Sequence, residues 1–309
     1  MRPAWASEGL ASGEILTAGA FPQMGQMGMA RSLWREVGAV ARLDYAEVLR
    51  SRWMIFCGVV YALMAALFVL VGLRESSMLG FTGMGRVVLS MTHALLLVLP
   101  LLALTATGQV VNRAREDGTL ELLFSHPVRR GAYFLGVSLV RYAVLVVPLV
   151  GLMLGMGLVG NLVFGQDVPW GFLLRSLAIS AALLFAFVGL GMAVSTWVRS
   201  GAKAVIWLLL LWAAGVALVD FALIGLMLQW QLQPQAVFIL AALNPVQAAR
   251  MGLLSSVSTE LSALGPVGFY LANRVGPNAL LALGVVWPLV VGAVAWLLAV
   301  RSFRRADLV

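Results

Sequence analysis

Charge is scarce in this sequence. Asp, Glu, Lys and Arg make up 11% of the 309 residues, while 61% are hydrophobic. A soluble domain carries about 25% charged residues, so a chain this apolar takes lipid as its solvent. Histidine occurs twice and Cys57 is the single cysteine, which excludes an intrachain disulfide and any metal site made of cysteine alone. No GxxxxGK[ST] run is present. Gly201, Ala202 and Lys203 lack the upstream glycines that would cradle a nucleotide's phosphates. The formal charge of +8 would suggest nucleic acid in a soluble protein. In a membrane protein basic residues instead mark cytoplasmic loops, and no nucleic-acid partner is expected.

What is abundant is apolar length. A hydrocarbon core of about 30 Å takes roughly 20 residues of helix. Six runs suffice, at about 53–73, 87–111, 133–162, 172–198, 204–228 and 279–300. The expected fold is therefore all-α and polytopic with six transmembrane helices, because an isolated span can satisfy its backbone in lipid no other way. A seventh run, Gln235 to Leu254, is broken by Asn244 and Pro245 and contains Arg250. A re-entrant or surface-lying helix within a long outer loop, 229–278, fits it better. With the N-terminus inside, fifteen of the 21 Lys and Arg fall in cytoplasmic stretches and four outside, while Arg141 and Arg175 lie within or beside spans and can snorkel. Both termini are placed in the cytoplasm. Residues 1–30 lack a signal-peptide core and are expected to be a disordered extension. Met24, Met27 and Met29 there belong to a floppy leader rather than a soft-metal site.

The cytoplasmic pieces have their own pattern. From 31 to 52, Trp34, Val37, Ala41, Tyr45 and Val48 recur at helical spacing, with Arg35, Arg42, Glu47 and Arg50 largely on another face. A basic amphipathic helix just before a span should lie in the interface plane. It is an anchor, or also a lever touching a cytoplasmic partner through residues such as Trp34, Arg42 and Tyr45. Between spans two and three, Asn112 to Arg130 sets Leu120, Leu122, Leu123 and Phe124 in a charged loop. Gly118 permits a tight turn, Asp117 or Thr119 can cap a helix, and Pro127 ends it. The expected product is a short helix presenting leucines for docking to another protein.

This run resembles the signature of type 2 ABC transporter permeases through Glu116, Asp117, Gly118, Thr119, Leu120, Glu121, Leu122 and Leu123, then Ser125, Pro127, Val128, Arg129 and Arg130, and Tyr133 with Gly136. Within that family it is most similar to the NosY-like group, which serves copper-site maturation of nitrous oxide reductase. The resemblance covers residues 31–309. It implies an inner-membrane permease working as a homodimer, with an elbow helix at 31–52. It also implies a coupling helix, marked by Glu116, Gly118, Thr119, Leu120, Leu123 and Pro127, that engages a separate ABC ATPase subunit. ATP and Mg belong to that subunit, and no cofactor or catalytic residue is expected here. Asp117 stands where the family more often has Ser. The outer loop resembles the family's gate helices at Asn244, Pro245 and Arg250, and a periplasmic partner protein would dock on that side. The alternative is a permease exporting another cargo, such as a lipid, drug or ion.

Other features are less specific. Gly151 and Gly155 form a GxxxG in span three, Gly189 and Gly191 crowd span four, and Pro148 and Pro288 lie inside spans three and six. His93 and Asp220 are ionisable groups within spans. Met91 and His93 are the candidate soft-metal ligands, with Met153, Met156 and Met227 also toward the outer side. Leu264 to Tyr270 reads as a glycine-flanked aromatic turn at headgroup level. A secondary transporter would need charged rings or internal repeats, and an intramembrane enzyme paired catalytic groups at depth; neither pattern is clear in the sequence.

Overall fold

The computed structural model describes residues 22–74, 83–162, 165, 167–219, 221–222, 225, 234–256 and 276–305, and among them every regular element is helical. The chain starts along α1 (Pro22–Arg50) and turns at Ser51 into α2 (Arg52–Arg74). The angle between the two is 68°, and the turn is fixed by the Ser51 hydroxyl and amide, both donating to the Val48 carbonyl at 2.7 and 3.0 Å. The amphipathic segment thus lies across the direction of the span that follows it. α1 begins at Pro22, nine residues before the expected start of the elbow at 31. Pro22 stands at the first helical position, where its fixed φ and missing N–H cost nothing.

α3 (Gly83–Thr107) breaks at Gly108 and Gln109 and resumes as α4 (Val110–Glu116); α5 (Thr119–Phe124), α6 (Arg130–Leu162) and α7 (Trp170–Trp197) follow. α8 (Gly201–Ala213) runs directly into a π turn, Ala214–Leu218. α9 (Pro234–Leu243) and α10 (Pro245–Ser255) meet at Asn244 with a bend of 114°, and α11 (Pro277–Arg305) closes the chain. Among the described residues, five helices are long and apolar enough to cross a membrane, and up to seven if each bent pair is one span. That range contains the six expected spans. The bend at Asn244 turns the 235–255 run back on itself, as Asn-Pro in mid-run should.

α7 is the central helix, packed against α3, α6, α10 and α11. Two close backbone approaches are made where both helices carry glycine. A Cβ at Gly189 would overlap the Gly292 carbonyl, and one at Gly252 would stand 3.0 Å from the Gly284 Cα. Small residues let backbones meet where hydrophobicity alone offers no drive between helices in lipid. Gly191 is likewise used within the chain, against Thr107, whereas a Cβ at Gly151 or Gly155 would meet nothing within 4 Å. Pro100 lies inside α3, a third helix-interior proline beside Pro148 and Pro288.

Candidate functional site

The charged loop folds into a compact relay at one end of the bundle. α4 ends at Asp117, whose amide bonds back to the Arg113 carbonyl at 2.8 Å, and the Gly118 amide bonds back to Arg115 at 3.1 Å. Gly118 then takes φ +68, a left-handed conformation in which a side chain is strained. It ends α4 and caps α5 at once, and no side chain caps α5. The expected capping by Asp117 or Thr119 is therefore not made, because the glycine turn already closes the ends.

α5 is six residues long, so its sides are unequal. Leu120 is buried (1% exposed), and Leu123 and Phe124 pack against the cluster of Val111, Tyr133 and Phe303, while Leu122 is 73% exposed. The expectation that the leucines together face the cytosol is corrected. Positions 120, 123 and 124 share one helical side and are drawn into the chain's own core, leaving Leu122 with Glu121, Ser125 and His126 outside. Glu116, Thr119 and Pro127 are exposed around this apex.

Four elements converge on the relay. Phe124 meets Tyr133 edge-on at 5.9 Å, Tyr133 stacks on Phe303 at 5.9 Å, and Phe134 joins Phe303 to Trp296 at 5.5 and 5.8 Å, tying α5 to α6 and α11. Glu36 of α1 accepts a hydrogen bond from the Arg129 amide at 3.1 Å and pairs with its guanidinium at 3.9 Å. Glu116 accepts from the Gly201 amide at 3.3 Å, placing its charge at the N-terminus of α8. Arg130 donates to the Arg304 carbonyl at 3.2 Å, at the C-terminal end of α11. Burial, with Arg199 close by, lowers the Arg115 guanidinium from its ordinary range. Within this base Asn112 is wholly buried with neither side-chain polar atom bonded, and the Val111 amide, freed by the break at Gly108, donates to Ser195 Oγ at 2.8 Å.

The elbow packs on the bundle along one side of its helix. Val37, Val40, Asp44 and Val48 are buried against α6, while Trp34 and Tyr45 are 61% and 51% exposed and Arg42 is exposed. Two contacts fix this rotation. A Cβ at Gly136 would stand 3.1 Å from the Val37 carbonyl, and Arg141 donates to Asp44 Oδ1 at 2.7 Å. Arg141 is thus ion-paired and half-buried, its charge met by Asp44 of α1. The signal available in the sequence was Asp44 midway between Val40 and Val48, with an arginine inside a span that needs a partner.

On the opposite side of the molecule, Asn244 Oδ1 accepts from the Val246 amide at 2.9 Å and caps α10, with Pro245 at its first position. Its Nδ2 donates to the Gly215 carbonyl in the π turn at 2.6 Å, and Trp287 Nε1 donates to the Leu243 carbonyl at 3.0 Å. Arg250 is half-buried on α10. Asp220, Met227 and Leu264 to Tyr270 lie outside the described residues. Met91 is buried in the core, and the half-buried His93 donates from Nδ1 to the Leu89 carbonyl at 3.1 Å. Two residues apart on a helix, they point about 200° from each other, so they do not form one ligand pair. Among the described residues no group of three or more His, Cys, Asp or Glu could hold a metal ion.

A family model described as an ABC-2 family transporter protein matches residues 38–308. A probable ABC transporter permease protein NosY from Pseudomonas aeruginosa is 30% identical over 226 residues, covering 71% of this chain and 82% of that protein. A protein of the same description from Stutzerimonas stutzeri is 26% identical over 278 residues, covering 87% of this chain and 98% of its own length.

Proposed function

The chain belongs to the ABC-2 family of transporter proteins and is a multi-pass permease subunit of an ABC transporter; from that premise we propose that α5 receives mechanical work from a separate ATPase subunit. The observation that carries this is the two-sidedness of α5. Leu120, Leu123 and Phe124 seat it on the base of the bundle, while Leu122 stands bare at its apex. A push at Leu122 reaches α6 and α11 through the aromatic cluster, α1 through Glu36 and α8 through Glu116. ATP and Mg are held by the ATPase, so this chain contributes no catalytic group. Two copies form the permease, with α5 and both termini on the cytoplasmic side of the inner membrane and the α9–α10 pair facing a periplasmic partner.

The similarity to two permeases named NosY supports a role in copper-site maturation of nitrous oxide reductase. Export of another cargo, a lipid, drug or ion, is the second reading. The test of the shared reading is co-purification. The tagged full chain should bring down an ABC ATPase, and Leu122→Asp should lose it while the chain stays folded. Undiminished capture by that variant would remove α5 as the docking element. Loss of nitrous oxide reductase copper on deletion of the gene, restored by the intact chain, would separate the first reading from the second.

A further inference from the structure

Where α1 crosses the ends of α3, α4 and α6, the helices leave a cleft of about 420 Å³ that borders the relay at Asp117, Thr119, Leu123 and Tyr133. Its wall carries Asp44, Glu47 and Asp117 against Arg113 and Arg141, with Trp53 beside them. Asp44 is 93% buried, being 7% exposed, and its pairing with Arg141 is single-pronged: one guanidinium nitrogen meets Oδ1 at 2.7 Å. A bidentate fork would occupy both carboxylate oxygens. Here Asp44 Oδ2 and Arg141 Nε are left without partners, and so is Trp53 Nε1. The residues of one cleft therefore hold one unmet acceptor and two unmet donors, and buried polar groups ordinarily have partners.

We propose that this cleft binds the headgroup of a zwitterionic phospholipid bearing a primary ammonium, such as phosphatidylethanolamine, from the leaflet in which α1 lies. Asp44 Oδ2, Arg141 Nε and Trp53 Nε1 are closed to solvent in the chain alone; with these side chains turned towards the cleft, a phosphate oxygen can accept from Arg141 Nε and Trp53 Nε1, and an ammonium one ethylene link away can donate to Asp44 Oδ2. The wall has one negative charge in excess, which disfavours an anionic headgroup. A choline quaternary ammonium has no N–H to give Asp44. Burial pushes the Asp44 carboxyl up, and Arg141 offsets that only in part, so a second cation is welcome there. The depth agrees, since an amphipathic helix and a Trp both favour the headgroup level. Leu43 and Leu49, 66% and 48% exposed on α1, offer apolar surface to acyl chains nearby. The cleft touches α5 and its turn at Asp117, Thr119 and Leu123, while the groups that would hold the headgroup come from α1, α2 and α6.

The test uses the full chain in nanodiscs holding equal amounts of phosphatidylethanolamine, phosphatidylcholine and phosphatidylglycerol with identical acyl chains, released into native mass spectrometry. Phosphatidylethanolamine should be retained over each of the others by about fivefold, the equivalent of one hydrogen bond. Asp44→Asn should bring that ratio towards one, and so should the milder Glu47→Gln at the rim. Equal retention of the three lipids, or preference for phosphatidylglycerol, would overturn the proposal in the unaltered chain whatever the variants do. An undiminished preference in folded Asp44→Asn would place the lipid elsewhere and overturn it too.

Discussion

Asn244 hands its side-chain amide to the Gly215 carbonyl at 2.6 Å, so the bend between α9 and α10 is fastened to the π turn that follows α8. A π turn leaves a carbonyl outside the regular ladder, and Asn244 satisfies it while capping α10 with its other atom. Asn244→Ala removes both bonds. The cap alone is worth about 1 kcal/mol and an unmet buried carbonyl about 1–3 kcal/mol. Asn244→Asp keeps the cap but brings a carboxylate to the Gly215 oxygen. Thermal unfolding in detergent should rank wild type above both variants, and a variant as stable as wild type would show that the fastening is idle.

Leu120 and Leu122 are separated by two positions on α5 and by nearly the full range of exposure. Leu120→Ala should cost about 2–5 kcal/mol through the cavity it leaves. Leu122→Asp should stay within about 0.5 kcal/mol of wild type in stability and yet abolish stimulation of the ATPase by the permease. Melting curves and ATPase assays on the same preparations distinguish the two roles.

How much of this was legible in the sequence depends on the period of the signal. Long apolar runs gave the spans, since 20 consecutive apolar residues have few alternatives, and Asn244-Pro245 marked the bend because it is a local break. The side of α5 that turns inward was not legible: a six-residue helix has apolar residues at 120, 122, 123 and 124, and only Tyr133 and Phe303, the latter some 180 residues downstream, decide which are covered. Which side of the elbow meets the bundle was not legible for the same reason. Trp34 and Tyr45 fit the helical stripe as well as Val40 does, and the choice was made by Arg141 on another helix.

Asp44 should make stability depend on acidity in an unusual direction. Its folded pKa is raised, first by burial, so the folded state holds the proton more tightly than the unfolded chain does. The stability this group contributes is present in full below its ordinary carboxylate range and is lost as pH rises through the folded value. Asp44→Asn lacks this dependence. The difference in melting temperature between wild type and Asp44→Asn should therefore move in favour of wild type on going from pH 7 to pH 4. A difference that moves the other way would mean Arg141 outweighs the burial.

Gly118 offers a test of the relay that leaves its surface chemistry untouched. A Cβ there would meet nothing within 4 Å, so space is no obstacle; only the backbone conformation, φ +68, resists a side chain. Gly118→Ala should cost about 1–2 kcal/mol, the penalty of a left-handed residue. Asn, which tolerates this region better, should recover part of it. Because Gly118 both ends α4 and caps α5, the strain can be relieved only by re-aiming α5 relative to the bundle. ATPase stimulation should consequently fall further in Gly118→Ala than in Gly118→Asn, while Leu122 and its neighbours remain chemically unchanged. Equal stimulation in all three proteins would mean that the contact at the apex, and not the rigidity of the turn behind it, governs coupling.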